Sequence, residues 1–235
     1  MKRSLIMSSN QLTNTINVIT VLRSGGEYQK KDVVNLYKMI DKHHRSFNFY
    51  CLTDHQQINQ NIKVIPLKHR WKGWWSKIEL FRFSSNELFL YMDLDTVVTG
   101  NFEHFFNQDV SFSPIYDAYQ YLKGNHHMGS GLFLYKPNQM QFIYNTFKER
   151  PNYYMNQFQR GGDQRFIESV IQLKRYSMIQ DLFPNQIFSF KADLCDPPKN
   201  PKNFKGIPKT AKVVFFHGKP RPKDKNYLDQ LKEGK

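Results

Sequence analysis

A three-layer α/β/α fold around a mixed, mostly parallel sheet is what this sequence of 235 residues predicts. Three observations carry that prediction. Short apolar segments rich in β-branched and aromatic residues, among them Ile16 to Leu22, Phe47 to Thr53 and Leu88 to Asp93, have strand length and are bounded by polar or glycine-containing turns. Between the first two, Val33, Leu36, Tyr37 and Ile40 recur at i, i+3, i+4 and i+7, the apolar stripe of a helix that joins parallel strands. The third segment ends abruptly in Asp93 and Asp95, carboxylates at the edge where open α/β sheets hold ligands.

Taken in order, Ile16 to Leu22 is the first, central strand, closed by the turn at Gly25-Gly26, and a helix follows over roughly 28–43. Phe47 to Thr53 is the second strand, so Leu22 to Tyr28, Asp54 and Asp93 are expected to meet beyond the C-terminal ends of the sheet. Lys63 to Leu67 is a short strand that Pro66 confines to an edge or an end. Trp71, Trp74 and Trp75 read either as core or as a platform for an acceptor or a nucleobase, and Ser76 is placed to cap a helix carrying Lys77, Leu80 and Phe81. Val110 to Ile115 and Ser130 to Tyr135 are further strands, with a polar, aromatic loop from Tyr116 to Met128 bordering a binding site. Lys136-Pro137-Asn138 opens a helix with Met140, Ile143, Tyr144 and Phe147 at helical spacing. Another begins at Gly161-Gly162-Asp163-Gln164, buries Phe166, Ile167, Val170 and Ile171, and offers Asp163 as its N-cap. Ala211 to Gly218 is the last strand and delivers His217 to its C-terminal end. Residues 1–15 read as a loose segment, 16–222 as one domain and 223–235 as a basic tail.

A hydrophobic content of 40% and a mean hydropathy of -0.65 argue against an integral membrane protein. Two cysteines, Cys51 and Cys195, are too few for a disulfide framework, and polar Ser8 to Gln11 interrupts any signal-peptide core. A cytoplasmic location is expected, with a peripheral position at a membrane surface as its variant. The net charge of +14 favours partners that carry negative charge: nucleotides, anionic lipid, phosphorylated glycans or nucleic acid. Much of the surplus gathers between Lys199 and Lys235, a proline-rich stretch that is either solvated or recruits an anionic surface.

On an extended chain Asp93 and Asp95 share a side while Leu94 points into packing. Two oxygen ligands on one side suit Mg²⁺ or Mn²⁺, which leaves positions open for phosphate oxygens. His217 belongs to the same side of the sheet and reads as a metal ligand or as a structural residue.

These segments together resemble a retaining glycosyltransferase of the glycogenin-like group, whose GT-A fold is Rossmann-like and binds nucleotide-sugars. The likeness runs from about Ile16 to Pro222: Leu22 with Tyr28, Lys77 sixteen positions before Asp93, Met92-Asp93-Leu94-Asp95-Thr96, Ser130-Gly131 through Pro137, Gly161-Gly162-Asp163-Gln164, and Ala211 through Gly218. The resemblance implies that Asp93, Asp95 and His217 hold a Mn²⁺ or Mg²⁺ ion on the donor diphosphate. It further implies that Leu22, Ser24 and Tyr28 hold the uracil, that Lys77 contacts phosphate or sugar, and that Asp163 and Gln164 stand at the reacting face of the sugar. Leu94, Ser130, Gly131, Gly218, Lys219 and Arg221 complete the implied donor site.

Two positions depart from the family pattern. Gly129 stands where the family has an Asn that helps hold the donor sugar, and the final motif has Phe215, His217-Gly218 and Arg221-Pro222 in a shifted arrangement. The activity expected is transfer from a UDP-sugar, with retention, to a carbohydrate, glycolipid or glycoprotein acceptor. Two rivals are a haloacid-dehalogenase-like phosphohydrolase with Asp93 as nucleophile, and a basic protein binding single-stranded nucleic acid. The first is disfavoured by the crossover unit ahead of the Asp pair, the second by the lack of any RNA or DNA motif.

Overall fold

The structure, a computed structural model, describes residues 15–224. Six strands, β1 (Asn17–Leu22), β2 (Asn48–Thr53), β3 (Lys63–Pro66), β4 (Phe89–Met92), β6 (Phe112–Tyr116) and β7 (Met128–Tyr135), form one sheet in the order β3-β2-β1-β4-β7-β6. The pairings from β3 to β4 are parallel, and β7 runs against both of its neighbours. Pro66 ends β3 on the sheet's edge, where its missing N–H costs no ladder bond.

Alternation along the strands sorts the core into two layers. Val18, Phe49, Cys51, Leu90, Leu132 and Leu134 face one side and pack with Val33, Leu36 and Ile40 of helix α1 (Lys30–Asp41). Ile19, Leu52, Tyr91, Phe133 and Tyr135 face the other. There they meet a 3₁₀ helix (Gly73–Arg82), α3 (Pro137–Glu149) and α5 (Gly162–Val170). Between β6 and β7 lies a single turn, α2 (Ala118–Tyr121), and α4 (Pro151–Gln157) links α3 to α5.

A second, three-stranded sheet, absent from the sequence reading as such, has the order β5-β9-β8. Its strands are β5 (Thr96–Val98), β8 (Ile187–Ser189) and β9 (Val213–Phe215); α6 (Ile179–Leu182) and α7 (Phe190–Asp193) flank β8. Val98, Ile187, Val213 and Phe215 join the core on the α1 side of the main sheet, so the two sheets share one apolar cluster.

Three local expectations change. Ser76 lies inside the 3₁₀ helix, which starts earlier because Gly73 takes a positive φ of 57° and turns the chain in; the Ser76 hydroxyl donates to the Trp71 carbonyl at 2.7 Å. Asp163 is in the first turn of α5, whose N-cap is Gly161 in the left-handed region. Leu94 and Asp95 form a turn between β4 and β5 where an extended chain was expected, because the chain changes sheets there.

Candidate active site

The turn that carries the chain from one sheet to the other also positions the carboxylates. Asp93 donates its N–H to the Gly131 carbonyl on β7 at 2.8 Å, and its own carbonyl accepts from Thr96 at 3.0 Å. Leu94 turns back against the core, and Asp93 and Asp95 face a cavity of about 560 Å³. Ten of the residues predicted from sequence line it: Lys77, Asp93, Asp95, Ser130, Gly131, Asp163, Gln164, His217, Gly218 and Arg221.

Lys77 is the organising cation. Its buried ammonium lies 3.2 Å from Asp93 and 3.1 Å from Asp163, and donates to the Ser130 carbonyl at 3.1 Å. Burial alone would lower its pKa, yet Asp163 and Asp93 together hold it above the ordinary lysine value. Ser130 donates its hydroxyl to Asp163 at 2.8 Å, and Gln164 donates to Asp117 at 3.0 Å, so both residues at the start of α5 are fixed in orientation. The Tyr91 hydroxyl donates to Asp93.

Asp95 is 5% exposed and paired with Arg221, whose guanidinium also reaches Glu27 at 3.3 Å and lies over the Tyr28 ring. Burial first, then the charge of Asp93, push the Asp95 carboxyl up to about 7, against the relief that Arg221 and Lys77 provide. Asp93 and Asp95 line the cavity with carboxylate oxygens, the donor type that a hard divalent cation takes. Burial, reinforced by Lys191 and Arg221, pushes His217 down to about 4, leaving a neutral imidazole whose Nε2 lies 2.9 Å from the Ser189 hydroxyl. Among the described residues no three His, Cys, Asp or Glu side chains converge on a single metal position. The residues thus fit a cation held by Asp93 and Asp95, with His217 on the same cavity wall but turned to Ser189.

Other predicted residues lie apart. Leu22 is buried in the core, and Ser24 is turned to Asp54, which also pairs with Arg23 at 3.5 Å. Asp54 consequently joins the first loop but not the cavity of Asp93. Tyr28 and Leu94 line a small adjoining cleft with Lys223, and Lys219 gives its carbonyl to Lys191 at 2.8 Å. The tryptophans divide: Trp71 and Trp75 are core, whereas Trp74 is 57% exposed and borders the cavity. At Gly129 a β-carbon would stand 3.0 Å from Ile115 and 3.1 Å from the Tyr116 carbonyl, so this backbone leaves little room for a longer side chain.

Lys191, Tyr119, Asp117 and Phe216 also line the cavity and were not singled out from sequence. Lys191 comes from α7, in a stretch without strong periodicity. Tyr119 and Asp117 belong to the loop that was expected to border a site.

No family model matches the chain, and no curated protein sequence does either. Solved structures do. The galactosyltransferase LgtC, determined in complex with donor and acceptor sugar analogues, matches over 93% of this chain and 96% of its own, with a TM-score of 0.63 at 12% identity. The glycosyltransferase GlyE of Streptococcus pneumoniae matches over 90% of this chain with a TM-score of 0.65 at 14% identity, and the bifunctional glycosyltransferase WbbM over 95% with a TM-score of 0.58 at 10%. The chain spans 57% of the GlyE chain and 50% of the WbbM chain. With its mixed sheet, flanking helices and shared topology, the protein has the GT-A fold of these glycosyltransferases.

Proposed function

We propose that the protein is a retaining glycosyltransferase that moves a sugar from a UDP-sugar to a carbohydrate, glycolipid or glycoprotein acceptor. The observation that carries this reading is Lys77 bridging Asp93 and Asp163, with Asp95 and Arg221 beside them on one cavity wall. The similarity to LgtC, solved with donor and acceptor sugar analogues, supports it at the level of the fold.

Cleavage at the anomeric carbon leaves negative charge on a nucleoside diphosphate and positive character on the sugar. Lys77 and Arg221 are placed to stabilise the leaving diphosphate, and Gly131, whose added β-carbon would lie 3.3 Å from Asp93, keeps the carboxylate accessible. Asp163 and Gln164 present oxygens to the positive side; Ser130 and Lys77 fix the first, and Asp117 fixes the second. Tyr28, under Arg221, and Leu94 line the adjoining cleft and form the side assigned to the uracil, whereas Leu22 in the core and Ser24 against Asp54 stand outside both cavities; Gly218 and Lys219 follow β9 toward the phosphates. Asp93 and Asp95, with His217 as the third candidate ligand, would hold Mn²⁺ or Mg²⁺, which when bound supplies a Lewis acid for the diphosphate.

Calorimetry with UDP and Mn²⁺ tests the reading, alongside UDP release from a panel of UDP-sugars. Asp95→Asn keeps size and removes charge, and is expected to weaken Mn²⁺-dependent UDP binding by more than about tenfold, the scale on which metal sites respond even to loss of an outer partner. Undiminished UDP affinity in that variant excludes this site assignment.

A further inference from the structure

A second cavity, of about 1130 Å³, shares Tyr116 with the carboxylate cavity. It is walled by the face of α5 that carries Arg165, Glu168 and Ser169, by residues 172–176 with Met178, and by His126 and His127 ahead of β7. Rings of Tyr116, Phe158 and Tyr176 contribute to its lining. The acidic side chains there are already engaged. Glu168 accepts from Arg165 at 2.6 Å and from the Met128 N–H at 3.2 Å, with His127 at 2.8 Å, and Asp181 accepts from the Tyr116 hydroxyl at 2.8 Å.

The remaining cations are not engaged. Arg160, Lys174 and Arg175 line the cavity, are exposed, and make no side-chain hydrogen bond or ion pair among the described residues. Aromatic rings offer flat apolar faces to the C–H faces of sugar rings, and free guanidinium groups take phosphate oxygens in bidentate fashion. A neutral sugar leaves three cations without purpose, and a bare anion leaves the rings without one. The shared wall at Tyr116 makes the two cavities suitable for different parts of one chain molecule.

We propose that this cavity is a second saccharide subsite that holds a phosphate-bearing part of an oligosaccharide acceptor, while the acceptor's reacting end lies in the neighbouring cavity. The proposal rests on the sugar-transfer reading for what happens next door, and it narrows the acceptor to an anionic oligosaccharide.

The test is calorimetry with a synthetic tetrasaccharide carrying one phosphate monoester, the same tetrasaccharide without it, inorganic phosphate alone, and anionic phospholipid vesicles. The phosphorylated sugar is expected to bind at least about tenfold more tightly than the neutral sugar or phosphate, as a charge-assisted hydrogen bond would give. Arg160→Gln with Arg175→Gln should abolish that preference while leaving UDP affinity at the wild-type value, since neither residue lines the carboxylate cavity. Equal affinity for the two tetrasaccharides, or a preference that survives the double substitution, overturns the subsite. Binding to the vesicles without preference for the phosphorylated sugar overturns it too, in favour of a membrane. UDP separates the two readings: a protein that binds UDP but ignores the phosphate on the sugar loses the subsite alone, and one that prefers the phosphorylated sugar but does not bind UDP keeps the subsite and loses the transfer reading.

Discussion

Lys77 and Asp163 are buried ions, each of which would cost several kcal/mol without a partner, and Asp93, its side chain 35% exposed, shares the lysine with Asp163. Their residue types and spacing were legible in the sequence; their mutual contact was not, since it depends on how a 3₁₀ helix, a turn and α5 close on one another. His44 makes the opposite point. It is buried, its ring centroid lies 4.1 Å from that of Phe102, its Nε2 accepts the Phe102 N–H at 3.4 Å, and nothing in the sequence distinguishes it from a surface histidine. Burial, with repulsion from His43, pushes it down to about 4. The unfolded residue titrates near 6.5, so between those values the unfolded chain binds the additional proton and stability falls as pH falls. His44→Leu should flatten the dependence of unfolding free energy on pH by up to about 1.4 kcal/mol per pH unit across that window. Urea midpoints of both proteins at pH 7, 6 and 5 measure it. Parallel curves would assign the acid sensitivity to other groups, such as His217.

At the scale of elements, what could be read was what periodicity marks. β1, β2, β4 and β7 show apolar residues on both faces over four to eight positions, and α1 and α3 carry regular stripes. β5 and β8 have three residues each, too few to establish a period, and β8 fell in a stretch without clear elements. Gly161-Gly162 was legible as a helix start, but its tight packing was not. Gly162 has a φ of 55°, and a β-carbon there would meet the Trp74 indole nitrogen at 2.2 Å. Gly162→Ala should lose about 1–3 kcal/mol through backbone strain, and more through displacement of Trp74 from the cavity rim. Gly124 is the control, with a φ of 76° and nothing within 4 Å of an added β-carbon. Thermal unfolding of the two alanine variants separates strain from collision, and equal losses would show that Trp74 yields without cost.

For the whole molecule, the shared apolar cluster is the decisive feature. Val18 and Leu90 of the main sheet pack in the same core as Val98, Ile187, Val213 and Phe215 of the second, so the small sheet has no separate core of comparable size to fall back on. Urea unfolding followed by far-ultraviolet circular dichroism and by tryptophan fluorescence is therefore expected to give coincident transitions. Trp71 and Trp75 report on the opposite layer from the second sheet, so non-coincident curves would reveal independent melting of the two. The basic residues beyond Asp224 lie outside the described residues, as does the segment before Thr15. Lys223 is described: it donates to the Glu27 carbonyl at 3.1 Å and sits over Tyr28, so the start of the basic stretch is tied to the first loop.

The crossing of the chain between sheets at Asp93 to Asp95 has a genetic consequence. A carboxylate pair mounted on a seam inherits the relative placement of the surfaces that meet there, so substitutions that loosen β8 or β9 tilt one carboxylate against the other without touching either. The far edge at β3 has no such leverage. A saturation map of tolerated substitutions should consequently be lopsided, with intolerant apolar positions at Ile187, Val213 and Val214 and a permissive border at Lys63 and Val64, even though all of these residues lie in strands.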